Sequence, residues 1–205
     1  MANIAETLES EPWVIRMPAD VVTMTDDQFF EFCQANRDLR LERTAEGDIL
    51  IMPPAGFESG HLNINIASQL HCWAKRDGTG IALNSSAGFR LPNHATRNPD
   101  AAWVLKSRLK GFSREEKRKF LALCPDFVVE LKSPTDRLAD LEDKMEEYLE
   151  NGARLGWLID PDRRRVFVYR PGEPAQCLEN PLQLAGDPVL PGFVLELKEV
   201  WEPDI

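Results

Sequence analysis

The chain is poor in the residues that build a sequence-local zinc site. Its 205 residues include three histidines, His61, His71 and His94, and four cysteines, Cys33, Cys72, Cys124 and Cys177, with no C-x-x-C pair among them. Thiols scattered in this way read as reduced, mostly buried small hydrophobes, and the redox motif is missing. Long apolar runs are also absent: none approaches the roughly 18 residues of a membrane span. Residues 1–11 carry Glu6, Glu9 and Glu11 where a secretory leader would have a basic start and an apolar middle. The expectation is a cytoplasmic protein with no membrane partner. Positive charge is in short supply as well. Lys and Arg number 24 against 34 Asp and Glu, a net charge of −10, so a polyphosphate meets net repulsion.

What is present describes a globular protein. With 43% hydrophobic and 28% charged residues, a chain of this length forms one sizeable core and buries roughly 70% of its unfolded surface. Residues 1–20, without periodicity, read as an N-terminal arm, and 21–205 as a single domain. Thr25 and Gln28 form a capping box opening a short helix. Leu39–Thr44 and Asp48–Met52, joined by Ala45-Glu46-Gly47, read as a β-hairpin. Pro53-Pro54-Ala55-Gly56 breaks it. Ser59 is then the predicted N-cap of a long amphipathic helix whose stripe is Leu62, Ile66, Leu70 and Trp73.

Strand patterns follow at 81–84, 88–91 and 100–105, and Ser113 with Glu116 predicts a further short helix ending before Pro125. Phe127-Val128-Val129-Glu130-Leu131-Lys132 is a near-continuous apolar strand. A second amphipathic helix over 136–151 carries Leu138, Leu141, Met145, Tyr148 and Leu149 on one side. Further strands are predicted at 157–159, 166–169 and 193–197.

The strand at 127–132 breaks its own pattern. Glu130 and Lys132 interrupt it, and alternation sends both to one face, about 7 Å apart. A plain strand-end ion pair explains this equally well until a second carboxylate is considered. Asp100 and Asp126 each follow a proline and precede an apolar strand. Asp126 lies about 13 Å from Glu130 along the same strand, too far to share an ion. Asp100 opens a separate strand able to pair alongside. Mg²⁺ takes oxygen ligands, usually one or two carboxylates with waters. An Asp and a Glu on adjacent strands would hold such an ion, with the Leu131 carbonyl as a further ligand and Lys132 placing positive charge near an attacked phosphate.

The order of elements, with Pro99-Asp100 thirty positions before Glu130-Leu131-Lys132, resembles the PD-(D/E)XK nuclease superfamily. More narrowly, the run Glu130-Leu131-Lys132-Ser133-Pro134-Thr135-Asp136, then Lys144, Tyr148, Gly152 and Trp157-Leu158-Ile159-Asp160-Pro161, is similar to the Uma-type family of restriction endonucleases. The likeness covers about residues 22–200. It implies an α/β (α+β) restriction-endonuclease-like core, a central mixed β-sheet flanked by helices, with an N-terminal helix and hairpin. It further implies a DNA endonuclease using Mg²⁺ or Mn²⁺, with Asp100 and Glu130 as metal ligands and Lys132 as charge stabiliser. Glu58 matches an additional acid on the first core helix, or is simply a favourable acid near a helix N-terminus. Lys144 and Tyr148 match a supporting polar pair on the second helix, or pack as ordinary core. His61 reads as a helix histidine and Arg163-Arg164-Arg165 as a solvated face.

Two rival readings share this fold: a catalytically dormant module that binds nucleic acid or protein, and a metal-dependent hydrolase of small phosphorylated substrates. The second has no need of a basic groove, so the position of the bases at 106–119 discriminates. That segment holds seven bases and two acids, while 136–150 holds seven acids and two bases. The net charge is thus an average over unlike faces. A homodimer is expected if both strands of a duplex are cut.

Overall fold

The computed structural model describes residues 13–18, 20 and 22–205. The remainder of the predicted arm, 1–12 and 19, lies outside the described residues. Trp13–Ile15 is not arm but a strand, β1. It pairs antiparallel with β3 (Ile49–Met52), which in turn pairs with β2 (Arg40–Arg43). Three residues are too few to show a period, but Trp-Val-Ile is a strongly β-prone triplet. The capping box at Thr25 forms as predicted and opens α1 (Asp26–Ala35).

α2 (Phe57–Asp77) starts after Gly56, three residues earlier than Ser59 would set it. Gly56 is an adequate N-cap, and the chain leaves Pro53-Pro54 already extended. The stripe Leu62, Ile66, Leu70 and Trp73 is buried as the spacing requires. β4 (Gly80–Asn84) follows, then two short strands, β5 (Phe89–Arg90) and β6 (Thr96–Arg97), which join the hairpin in a five-stranded sheet ordered β1-β3-β2-β6-β5. Residues 88–91 thus belong to this smaller sheet, not to the central one.

The central sheet has six strands, ordered β11-β10-β9-β8-β7-β4. Its members after β4 are β7 (Ala101–Leu105), β8 (Phe127–Leu131), β9 (Leu155–Asp160), β10 (Arg165–Tyr169) and β11 (Gln176–Glu179). β8 runs parallel to β9 and antiparallel to β7, so the sheet is mixed. The parallel pair is bridged by the second amphipathic helix, α3 (Leu138–Glu150). Between β7 and β8 the capping box of Ser113 and Glu116 forms, but it leads only into a 3-10 turn at Glu116–Arg118. The chain is drawn off by a bridge from Leu121 to Phe89. The hairpin β12 (Gln183–Ala185) and β13 (Val194–Glu196), with α4 (Lys198–Trp201), closes the C-terminal end. No helix among the described residues is long and apolar enough to cross a membrane.

The core divides by the alternation of the central sheet. Ala101, Trp103, Phe127, Val129, Leu131 and Trp157 pack towards α2 and the C-terminal hairpin. Ala102, Val104, Val128 and Leu158 pack towards Met145 and Tyr148 of α3. Gly156 lets α3 approach closely, since a Cβ there would stand 2.3 Å from the Met145 Cε. The apolar side of α3 is buried as its spacing requires: Met145 and Tyr148 are fully buried and bring Lys144 with them.

Candidate active site

β7 and β8 pair over only three residues, Ala101↔Val129 to Trp103↔Phe127, and an aspartate finishes the pairing at each end. At one end the Leu131 N–H donates to Asp100 Oδ2 at 2.9 Å; at the other the Leu105 N–H donates to Asp126 Oδ2 at 2.9 Å. A buried backbone donor needs an acceptor, and where the strands part a side chain supplies it. The two ends differ in company. Asp126 meets Arg108 at 3.1 Å. Asp100, one step beyond the paired register, falls across from Glu130, and its Oδ1 accepts from Asn63 Nδ2 of α2 at 2.8 Å with Arg40 of β2 at 3.5 Å.

Glu130 projects towards α3, into a buried polar cluster. Its Oε1 accepts from Lys144 Nζ at 2.9 Å and from the Tyr148 hydroxyl at 3.0 Å. The smaller sheet supplies Glu42 from β2. Glu42 Oε1 is also 2.9 Å from Lys144 Nζ and accepts the Asn98 N–H at 2.9 Å, while its Oε2 meets Arg97 at 3.2 Å. Arg97 also donates to Glu147 of α3 at 2.5 Å. One ammonium is thus shared by two carboxylates contributed by two sheets. Glu42 and Glu130 are 2% and 4% exposed, so this sharing takes place out of water.

Burial penalises every charge here, and the balance of partners decides each case. For Glu42, Lys144 and Arg97 outweigh burial and hold the carboxyl below its ordinary value. For Glu130, burial prevails over Lys144, and with Asp100 and Glu42 nearby the carboxyl rises to about 7. Asp100 is also raised, by burial first, which the Leu131 amide and Arg40 only partly offset. Burial opposes the Lys144 ammonium, but Glu130 and Glu42 more than compensate and hold its pKa above the ordinary lysine value. Tyr148 is raised well above 10 by burial and by Glu130, so its hydroxyl remains a donor.

The expected residues do not all converge. Asp100 and Glu130 lie together, and Leu131 joins them through its amide. Lys132 follows directly after β8, but its Nζ donates to the Ser133 carbonyl at 2.9 Å; the ammonium that touches Glu130 is that of Lys144. Glu58 is exposed in the first turn of α2, and the α2 residue that reaches Asp100 is Asn63. Neither Glu42 nor Asn63 stands out in the sequence. Glu42 sits in the alternating strand Arg40-Leu41-Glu42-Arg43, which reads as half-exposed, and Asn63 gives no sign beside the Leu62 stripe. The basic segment starts at the opposite end of β7 from Asp100, six residues or roughly 20 Å along the strand. Several of its bases are engaged locally: Lys106 with the Gly78 carbonyl, Arg108 with Asp126 and Lys119 with Asp27. Of the arginine run, Arg164 meets Glu202 and Arg165 meets Asp160.

Among solved structures, the crystal structure of a putative nuclease belonging to DUF820 from Anabaena variabilis ATCC 29413 is similar to this chain. The match has a TM-score of 0.68 and 21% sequence identity and covers 87% of this chain and 98% of the other. At that identity the likeness establishes the fold, a mixed sheet flanked by helices. No curated protein matches. The model of the Uma2 family, described as "Putative restriction endonuclease", matches residues 26–198, most of the chain. A nuclease-type fold joined to that extended sequence match settles the affiliation: this chain belongs to the Uma2 family.

Proposed function

We propose that this protein is a metal-dependent DNA endonuclease that hydrolyses phosphodiester bonds, with Asp100 and Glu130 holding Mg²⁺ or Mn²⁺. The observation that carries the reading is a part-buried and a buried carboxylate, Asp100 and Glu130, facing each other across adjacent strands, both raised in pKa by burial first, which the nearby cations only partly offset. A divalent cation is the group such a pair lacks. Among the described residues no group of three or more His, Cys, Asp or Glu converges on a metal position. The donor set nevertheless fits a hard ion, which is commonly held by one or two carboxylates with waters. The Leu131 carbonyl, on the residue whose amide steadies Asp100, is a further oxygen ligand in this proposal.

When bound, such an ion supplies positive charge to the phosphoryl oxygens and lowers the pKa of water. The chain does the rest. Asn63 and the Leu131 N–H fix the rotamer of Asp100, and Tyr148 and Lys144 fix Oε1 of Glu130. The Lys144 ammonium, kept charged by Glu42, adds positive potential where charge develops on phosphorus. Lys132 is a second ammonium at the end of the same strand, and Glu58 an outer acid on α2. Plasmid nicking that persists in Lys132→Ala and disappears in Lys144→Met would assign the role to Lys144. A homodimer belongs to this reading where both strands of a duplex are cut.

Titration calorimetry with Mn²⁺ tests the site directly. Wild type is expected to bind, and Asp100→Asn combined with Glu130→Gln to lose tenfold or more in affinity; equal affinity would sink the metal site. One observation favours a second reading, a hydrolase of small phosphorylated substrates. The bases at 106–119 begin at the far end of β7 from Asp100, and Arg108 and Lys119 among them are paired with Asp126 and Asp27.

A further inference from the structure

The surface beside Asp100 carries an aromatic and cationic groove that the metal site does not use. It is a depression of about 590 Å³ at the end of the smaller sheet, lined by Trp13, Arg37, Leu39, Arg40 and the Pro53-Pro54 turn, among others. Trp13 is 78% exposed, although it sits in a strand paired with Ile51. The other four tryptophans, Trp73, Trp103, Trp157 and Trp201, are each less than 10% exposed. An indole held on a paired strand and left uncovered by the described residues presents a flat apolar surface at little conformational cost. Arg40 belongs to both places: it lines the groove, and its guanidinium stands 3.5 Å from Asp100. Two arginines against Asp38 make the groove locally positive on a protein of net charge −10.

We propose that this groove binds an unpaired nucleotide flanking the scissile phosphodiester, its base against Trp13 and its phosphate against Arg37 and Arg40. The inference rests on the nuclease reading and narrows its substrate class to nucleic acid with a single-stranded nucleotide next to the cut. Three observations favour this occupant. A base has a π-face that stacks on an exposed indole, an interaction open to any base. Arg37 and Arg40 both line the groove and Arg40 reaches Asp100, which suits an anionic chain passing from one to the other. The basic segment at 106–119 starts at the opposite end of β7, whereas the groove adjoins Asp100 through Arg40.

The test is binding of a fluorescently labelled single-stranded oligonucleotide to the full chain. Ca²⁺ replaces the activating metal so that binding is read without cleavage. Trp13→Ala is expected to weaken binding about 5- to 150-fold, the range of one lost base stack. Arg37→Gln is expected to weaken it and to flatten its salt dependence. Wild type should bind an oligonucleotide with abasic sites as weakly as Trp13→Ala binds the intact one, and should prefer the single strand to a blunt duplex. Quenching of the exposed indole by acrylamide should fall when oligonucleotide is added. Unchanged affinity in Trp13→Ala, or equal affinity for intact and abasic strands, would overturn the groove while leaving the nuclease reading standing. An indole already shielded from acrylamide in the free protein would overturn it too, because the groove would then be filled by protein. Metal-dependent cleavage that survives Asp100→Asn with Glu130→Gln would instead overturn the site on which the inference rests.

Discussion

Replacing Lys144 with methionine is expected to destabilise the protein by about 3–5 kcal/mol, the cost of removing one partner from a buried ion pair. For a chain of this size that corresponds to a fall in melting temperature of roughly 6–20 °C, at about 2–4 °C per kcal/mol. Methionine fills a similar volume, so packing changes little. The loss is electrostatic: Glu42 and Glu130 both rely on this ammonium, at 2.9 Å each, and both are buried. Arg97 still serves Glu42, whereas Glu130 is left with the Tyr148 hydroxyl. Glu130 escapes part of the penalty by taking up a proton, so the loss should grow from pH 6 to pH 8. Urea unfolding of Lys144→Met, Glu130→Gln and the double variant forms a cycle whose coupling should exceed 1 kcal/mol. Additive losses would show that the ammonium and the carboxylate do not depend on each other.

The second large effect concerns pH. The Glu130 carboxyl is raised from 4.5 to about 7 in the folded protein. In the unfolded chain it ionises first, so between these values the unfolded state carries fewer protons and stability falls as pH rises. The contribution of Glu130 is fully present below the unfolded value and is lost as pH passes through about 7. Its size is on the order of 3 kcal/mol, at about 1.4 kcal/mol per pH unit. Asp100, also raised, acts in the same direction. Glu42 is lowered, so its stabilisation is lost at acid pH, below the window of Glu130. Lys144 stays charged throughout. Wild type should therefore lose stability from pH 5 to pH 7.5, and Glu130→Gln should show a much flatter profile and be the more stable protein at pH 8. Saturating Mn²⁺ should reverse the slope for wild type, since the metal favours the ionised pair. Parallel profiles for wild type and Glu130→Gln would remove Glu130 as the source.

The parts of the site legible in the sequence are those where a local pattern is broken. Glu130 interrupts a buried strand, Asp100 opens one after a proline, and the helical spacing of Met145 and Tyr148 marks the buried side of α3. What escaped depends on contacts between distant elements. Alternation points to Lys132, two residues from Glu130, but the lysine that the packing of α3 over Gly156 brings to Glu130 is Lys144, which the sequence marks only through the family resemblance, as a supporting residue. Glu42 lies on a hairpin whose sequence, Arg40-Leu41-Glu42-Arg43, looks half-exposed, yet docking of the smaller sheet buries both Glu42 and Arg43. The capping box at Ser113 shows the converse. Its hydrogen bonds form as the sequence requires, but one favourable cap cannot extend a helix that the bridge from Leu121 to Phe89 pulls away.

The paired aspartates at the two ends of the β7–β8 ladder have a practical consequence. Each takes an N–H from the opposing strand, at the same 2.9 Å, and so each bears part of the sheet. Lost activity in an Asp100 variant therefore mixes chemistry with architecture. Asp126 carries the architectural half with an ion pair to Arg108 and no part in the proposed site, and the molecule thus contains its own reference measurement once Arg108→Gln has accounted for that pair. The stability lost in Asp126→Asn calibrates what a ladder-closing carboxylate is worth in this sheet, and whatever Asp100→Asn forfeits in metal affinity beyond that calibration belongs to the site.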